Sequence, residues 1–306
     1  MPVTATGPGT MQASPQSQGV ARTRVGPGRT SYWLSAALAV AALTAGVLTF
    51  VVKGAIAGPT VSVGTARGTA LVVAVVAVPV LVAAMAATNR GSARGLIIWL
   101  GAAGYLLYNA IMFLFATPYN RFFLVYVAMF ALALWSIGAV LVQTDVPGLA
   151  RQVTGRLPAQ GIAVYAWTVA ILNALVWLRT IIPTITAADP GAFLIGSGFI
   201  THPVYIQDLA VWIPLMVVAA AWLWRGMPWG YLLTSSILAV WVIEALGIAV
   251  DQWFGSQADP STAFASAAIS PAFLAWAVIG LVPLWFTLRP LQRPPQDATV
   301  SMPTHD

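Results

Sequence analysis

GYLLTSSILAVWVIEALGIAV, residues 230–250, is a run of 21 residues that carries a single charge, Glu244. About 20 apolar residues in helical form cross the ~30 Å hydrocarbon core of a bilayer, so this run predicts a transmembrane helix with one carboxylate along it. Seven more runs of similar length lie near 32–52, 68–88, 95–115, 122–143, 162–183, 207–225 and 268–288, each bounded by charge, Pro or Gly. They are apolar at odd and even positions alike, whereas a barrel strand alternates. The sequence therefore predicts an all-α, polytopic transmembrane helical bundle of about eight spans over residues 32–288. The first run is longer than the apolar core of a signal peptide and is expected to stay as a span.

Composition points the same way. Hydrophobic residues make up 59% of the 306 and charged residues 7%, against about 45–50% and about 25% in soluble chains. With a mean hydropathy of +0.84, too little polar surface exists to cover a soluble globule, which excludes a soluble enzyme and a disordered chain. The expected surrounding is the lipid bilayer. The net charge of +6 does not indicate nucleic acid, because basic residues belong beside spans and no basic run is interleaved with aromatics. The absence of cysteine removes disulfides, thiolate metal sites and thiol redox chemistry. No serine-nucleophile constellation, kinase motif or HExxH pair is present, so neither an enzyme nor a cofactor is predicted.

Residues 1–31, rich in Gly, Pro, Ser, Thr and Gln, and residues 289–306 read as disordered tails. Longer connections fall near 53–67, 144–161, 184–206 and 251–267. Orientation follows from the basic residues. With the amino terminus inside, the cytoplasmic face collects Arg22, Arg24, Arg29, Arg90, Arg94, Arg151, Arg156, Arg225, Arg289 and Arg293, while Lys53, Arg67 and Arg121 lie outside and Arg179 sits in the outer end of span five. Both termini are then cytoplasmic. The tetrapeptide GYLL recurs at 104–107 and 230–233, but in a chain so rich in Leu and Gly about one such match is expected by chance, a weak sign of a four-plus-four repeat.

Polar side chains within spans are the candidates for function, since lipid does not tolerate them without a partner. Span three carries Tyr105, Tyr108 and Asn109 at i, i+3 and i+4, on one helical face. Asn120 and Arg121 stand at the external turn into span four. Span five holds Asn173 and Arg179, and span six opens with Tyr205 and Asp208. In span seven, Glu244 is followed by Asp251 one heptad later. By the span boundaries above, Glu244 lies about 10 Å inside the external end of its helix. It must be paired, protonated or facing water, and Arg121 and Arg179 are the expected partners for it and for Asp208. Two readings stand side by side: an outward-opening polar pocket for a ligand or ion, and a clamp that only holds helices together. His202 is expected to be a solvated loop histidine, Gly191, Gly196 and Gly198 to form a flexible or re-entrant connector, and Pro79, Pro214 and Pro283 to kink spans.

GYLLYN (104–109), FFLVYVA (122–128), THPVYIQDLAVWIPL (201–215) and MPWGYLL (227–233) resemble stretches of uncharacterised multi-pass membrane proteins from bacteria, over about a third of the chain. That resemblance implies a bacterial plasma-membrane protein and transfers no catalytic residue. The resulting expectation is a small-solute, lipid-headgroup or proton-coupled transporter or receptor with an outward-side pocket. The alternative is a structural or accessory subunit of a membrane complex.

Overall fold

A computed structural model describes residues 27–261 and 264–292. The expected tails lie outside the described residues at 1–26 and 293–306, whereas 29–31 open the first helix and 289–292 close the last. Among the described residues there is no strand, and eight helices are long and apolar enough to cross a membrane. They are α1 (Arg29–Val51), α2 (Thr60–Asn89), α3 (Ala93–Phe115), α4 (Phe123–Gln143), α5 (Ala159–Ile185), α6 (Pro203–Trp224), α7 (Pro228–Ala258) and α8 (Ala267–Leu291). A short helix, Val146–Arg151, capped by the Asp145 carboxylate on the Gly148 N–H at 2.9 Å, links α4 to α5. The all-helical bundle read from the sequence is thus the observed fold.

Two helices depart from their expected ends. α2 begins at Thr60 rather than near 68, and α7 continues to Ala258 rather than stopping near 250. The segments 53–67 and 251–267, expected as connections, are therefore partly helical. The physical reason is that the two extensions pack on each other. Lipid tails are as apolar as leucine, so helices associate in a bilayer through close packing rather than hydrophobic burial, and small residues permit that approach. A Cβ added to Gly68 would lie 2.6 Å from the Asp251 Cα, and one added to Gly64 2.7 Å from the Phe254 carbonyl oxygen. With 31 residues, α7 is about 46 Å long at about 1.5 Å per residue. Glu244 then sits about 21 Å from its C-terminal end, near mid-helix and deeper than the shorter span implied.

The core runs along α3 and α7. Their apolar windows are 78% and 61% buried within the protein, against 28–39% for the other six helices, which leave most of their surface for lipid. α7 packs on α2, α3, α6 and α8; α3 packs on α2, α4 and α7; α1 bridges α2 and α4. α5 meets the rest chiefly through α6. Interhelical hydrogen bonds, each worth about 0.6 kcal/mol in a bilayer, stitch the periphery. Trp99 Nε1 donates to Ser35 Oγ at 2.9 Å, Thr49 and Tyr126 share a bond of 2.7 Å, and the Tyr231 hydroxyl donates to the Thr287 carbonyl at 2.8 Å.

Both described ends lie on one face. There Gln143 Oε1 accepts from the Gly28 N–H and the Ser31 hydroxyl, and Arg94 Nε donates to the Leu288 carbonyl. Eight crossings bring Arg29, Arg90, Arg94, Arg151, Arg156, Arg225 and Arg289 to this face, with Lys53 and Arg121 at the opposite one. Arg67, expected in a connection, is instead part of α2, and its Nε donates to the Phe50 carbonyl at 3.1 Å. The GYLL match carries no weight in the structure, since it begins at the twelfth residue of α3 but the third of α7. A different device is shared: α2 and α6 each contain a five-residue π-turn, Val73–Ala77 and Asp208–Trp212, that ends two residues before a proline, Pro79 and Pro214. Proline has no N–H and its ring crowds the preceding turn, and widening that turn relieves the conflict.

Replacing Gly68 by Leu forces α2 away from the Asp251 backbone. Unfolding in detergent is expected to show a loss of about 1–3 kcal/mol, while Gly91→Leu at a turn with open space around it tests positive-φ strain instead of packing.

Candidate functional site

Seven of the ten residues singled out in the sequence come together where α3, α5, α6 and α7 meet. Tyr105, Tyr108 and Asn109 are all buried on α3. Asn109 Nδ2 donates to Glu244 Oε2 at 3.3 Å and to the Tyr105 carbonyl at 3.1 Å, so the amide ties Glu244 to the central helix pair. Glu244 itself is partly buried. Asp208, 6% exposed, opens the π-turn of α6. Its Oδ2 accepts from Trp177 Nε1 at 2.8 Å and from Asn173 Nδ2 at 3.5 Å, both on α5, and the Tyr108 hydroxyl of α3 bonds to the same carboxylate. Four residues on, Trp212 lies over Gly104 and 6.0 Å from the Tyr108 ring, and its Nε1 donates to Gln207 Oε1 at 3.3 Å. The wide turn thus aims Asp208 and Trp212 at α3 together. Tyr205 lies tilted against Trp177, with ring centroids 4.8 Å apart, and bonds to Thr180.

Asn120, Arg121 and Arg179 stand apart. Asn120 shapes the α3–α4 turn, donating to the Pro118 carbonyl at 2.9 Å and accepting from the Phe122 N–H at 2.9 Å. Both arginines are exposed, and among the described residues the one ion pair is Arg151 with Asp145 at 3.9 Å, on the surface. The expected arginine–carboxylate network is therefore not formed. Arginines near helix ends keep their guanidinium groups outside the bundle, because hydration there is cheaper than desolvation beside an acid. Neutral donors take their place at the carboxylates.

Several further groups belong here, among them Asp251, noted one heptad past Glu244 in the sequence. Asp251 comes within electrostatic reach of Glu244, as does Asp208, giving three acids in the α6–α7 region. Asp251 Oδ1 and the Tyr105 hydroxyl are buried without hydrogen-bond partners. Trp177 was legible as the i+4 neighbour of Asn173, on the same face. Further along α7, the hydroxyls of Thr234, Ser235 and Ser236 are also buried without partners. No three of the described histidine, aspartate and glutamate side chains converge as a metal ion requires. A pocket lined by Tyr165, Leu238, Trp241, Val242, Trp276 and Gly280 offers about 10 Å³, room for about one water, and none of the acids lines it.

His202 differs from the solvated histidine expected. It caps α6 with its ring stacked on Tyr205 at 3.8 Å, and Phe193, Phe199 and Phe264 stand between 5.8 and 6.5 Å away. Burial pushes the imidazole down to about 4 from its ordinary 6.5. The connector before it is pinned to α2: Ser62 donates to the Ser197 carbonyl, and Gly198, at φ +75°, turns against Pro59.

Comparison with protein-family profiles, curated proteins and solved structures finds no match to the chain.

Removing the acceptor by Asp208→Ala leaves Trp177, Asn173 and Tyr108 unsatisfied. It is expected to cost about 1–3 kcal/mol and to raise hydrogen exchange in α5, whereas Arg121→Ala and Arg179→Ala stay within about 0.5 kcal/mol. His202 adds a pH dependence. Its folded value lies below its unfolded one, so its contribution is complete above 6.5 and is lost as pH falls from 6.5 toward about 4. His202→Phe is expected to flatten detergent unfolding curves across that window.

Proposed function

We propose that the protein is a proton-coupled transporter or proton-responsive receptor of a bacterial plasma membrane, with both termini cytoplasmic and the acid-bearing ends of α6 and α7 toward the outside. The observation that carries this reading is Glu244: a carboxyl near the middle of a membrane helix, hydrogen-bonded among the described residues by Asn109 and neighboured by two more acids. Insertion of an acid at such depth costs about 2.5–3.5 kcal/mol if it stays charged. Asparagine, tryptophan and tyrosine donors orient a carboxyl but bring no compensating charge, so a proton is the species that balances it. Intramembrane acids of this kind mark ion and proton pathways.

Selection among the ligand classes follows the same chemistry. A lipid phosphate needs cations at its site, and Arg121 and Arg179 do not approach the acids. The seven arginines on the face holding both described ends support the cytoplasmic placement of that face.

A clamp remains the second reading, favoured by one specific contact: the Asp208–Trp177 bond holds α5, which packs sparsely on the other helices, to α6.

Tryptophan fluorescence in nanodiscs, with Trp177 and Trp212 beside the acids, separates the two. The parent is expected to show a reversible pH-dependent transition that Glu244→Gln abolishes and that Arg121→Ala retains. A transition unchanged in Glu244→Gln overturns the proton reading, and lost thermal stability without any change in the transition supports the clamp.

A further inference from the structure

Glu244 and Asp251 are seven residues apart on α7, so they share a helical face two turns apart. Their Cα atoms are about 10.5 Å apart along the axis at about 1.5 Å per residue. A hydrogen bond spans about 3 Å, which leaves a gap between the two carboxyls that some third group must fill if a proton is to pass.

One side chain reaches that gap. Tyr105, on α3, is fully buried, and its hydroxyl rests against α7 at Gly247, three residues past Glu244 and four before Asp251. A Cβ at position 247 would stand 2.9 Å from the Tyr105 Oη and 3.5 Å from its Cε2, so a residue without a side chain is what seats the hydroxyl there. Glycine in a helix interior costs about 0.8–1.0 kcal/mol relative to alanine, and here the space it leaves is occupied by a polar group with no partner of its own. The Tyr105 Oη makes no hydrogen bond, and Asp251 Oδ1, buried on the far side of Gly247 from Glu244, makes none either. Both carboxyls act electrostatically on the hydroxyl.

Other groups near this point are engaged elsewhere or on one carboxyl: on α7 itself, Gln252 hydrogen-bonds to Asp251 through its side chain and backbone. On α3, Asn109 occupies Glu244 Oε2. From α6, Asp208 is held by Trp177, Asn173 and Tyr108. α2 presents Gly68 to the Asp251 backbone, and its Arg67 is engaged by the Phe50 carbonyl and ring. The Tyr126 hydroxyl of α4 is bound to Thr49 of α1.

We propose that the Tyr105 hydroxyl relays a proton between Asp251 and Glu244, linking the two α7 carboxyls through α3. This rests on the proton reading above. In the step, the protonated carboxyl gives its proton to the tyrosine oxygen as the tyrosine O–H proton passes to the other carboxylate. One O–H bond breaks and one forms at the tyrosine oxygen, the tyrosine stays neutral, and the charge has moved from one carboxyl to the other. Tyrosine is suited to this because its hydroxyl is donor and acceptor at once.

The test is infrared difference spectroscopy of the full chain in nanodiscs after a pH jump, with carboxyl bands assigned by Glu244→Gln and Asp251→Asn. Tyr105→Phe removes the oxygen alone and is expected to slow transfer to Glu244 by about a hundredfold, within the range of positioned acid–base groups, with the band amplitude kept. Gly247→Ala retains the hydroxyl but displaces it, and is expected to slow transfer as well, so the relay stays testable should Tyr105→Phe fold poorly. Transfer at the parent's rate in either folded variant overturns the relay and leaves the functional reading standing. A Glu244 band that does not respond to pH in the parent overturns both.

Discussion

A carboxyl group in the hydrocarbon of a membrane has to find partners for its charge, and among the described residues this bundle gives Glu244 and Asp208 neutral donors and no arginine. Asn109 holds Glu244, while Trp177, Asn173 and Tyr108 hold Asp208. Each of these donors is neutral, so the hydrogen bonds orient the acids and share their charge but do not cancel it. The arrangement of helices follows from the need to keep such groups away from lipid. α3 and α7, which carry Tyr105, Tyr108, Asn109, Glu244 and Asp251, are the two most enclosed helices, while the six around them leave most of their surface outward. Close approach is what makes the enclosure possible. Gly101 and Gly104 of α3 meet Ala239 and Val240 of α7, and Gly64 and Gly68 of α2 meet the last turns of α7 from another side. A bulkier set would open gaps through which the acids faced acyl chains.

Much of this was legible in the sequence, and what was not has a physical reason. A membrane span announces itself by length and apolarity, so all eight helices were found. The ends of α2 and α7 were missed because Gly64, Arg67, Gly68, Asp251 and Gln252 look like loop residues when read one at a time. They are helical because the two segments bury against each other, a tertiary fact. The face formed by Tyr105, Tyr108 and Asn109 was legible from spacing alone, since i, i+3 and i+4 lie together on any helix. Partners were not. Sequence gives the depth of Arg121 and Arg179 but not their direction around the helix or the neighbour they meet. Depth placed them beside the acids, and the structure turns them outward. His202 was misread for the same reason, because the aromatic rings around it come from the connector, from α6 and from the segment before α8.

The prolines show how one local rule becomes a positioning device. Pro79 and Pro214 cannot donate to the helix ladder, and in both α2 and α6 the preceding turn has widened by one residue. In α2 the widened turn is filled by Val and Ala and serves packing. In α6 it begins at Asp208 and ends at Trp212, and the change in angular spacing brings both toward α3. The same backbone adjustment is thus apolar in one half of the chain and carries the site in the other.

The attachment of α5 connects the site to motion. Its contacts with α7 and α8 are sparse, and its polar hold on the bundle includes bonds from Trp177 and Asn173 to a single carboxylate. Hydrogen bonds to a charged acceptor contribute about 1.5–3 kcal/mol, against about 0.5–1.5 kcal/mol for neutral ones. The strength with which α6 grips α5 therefore depends on the charge of Asp208. That residue stands at the start of a π-turn, where the helix is already spared full α-helical bonding and bends at low cost. Because Asp208 also acts electrostatically on Glu244, a change of charge on α7 is felt at the joint between α5 and α6, through which α5 chiefly meets the bundle.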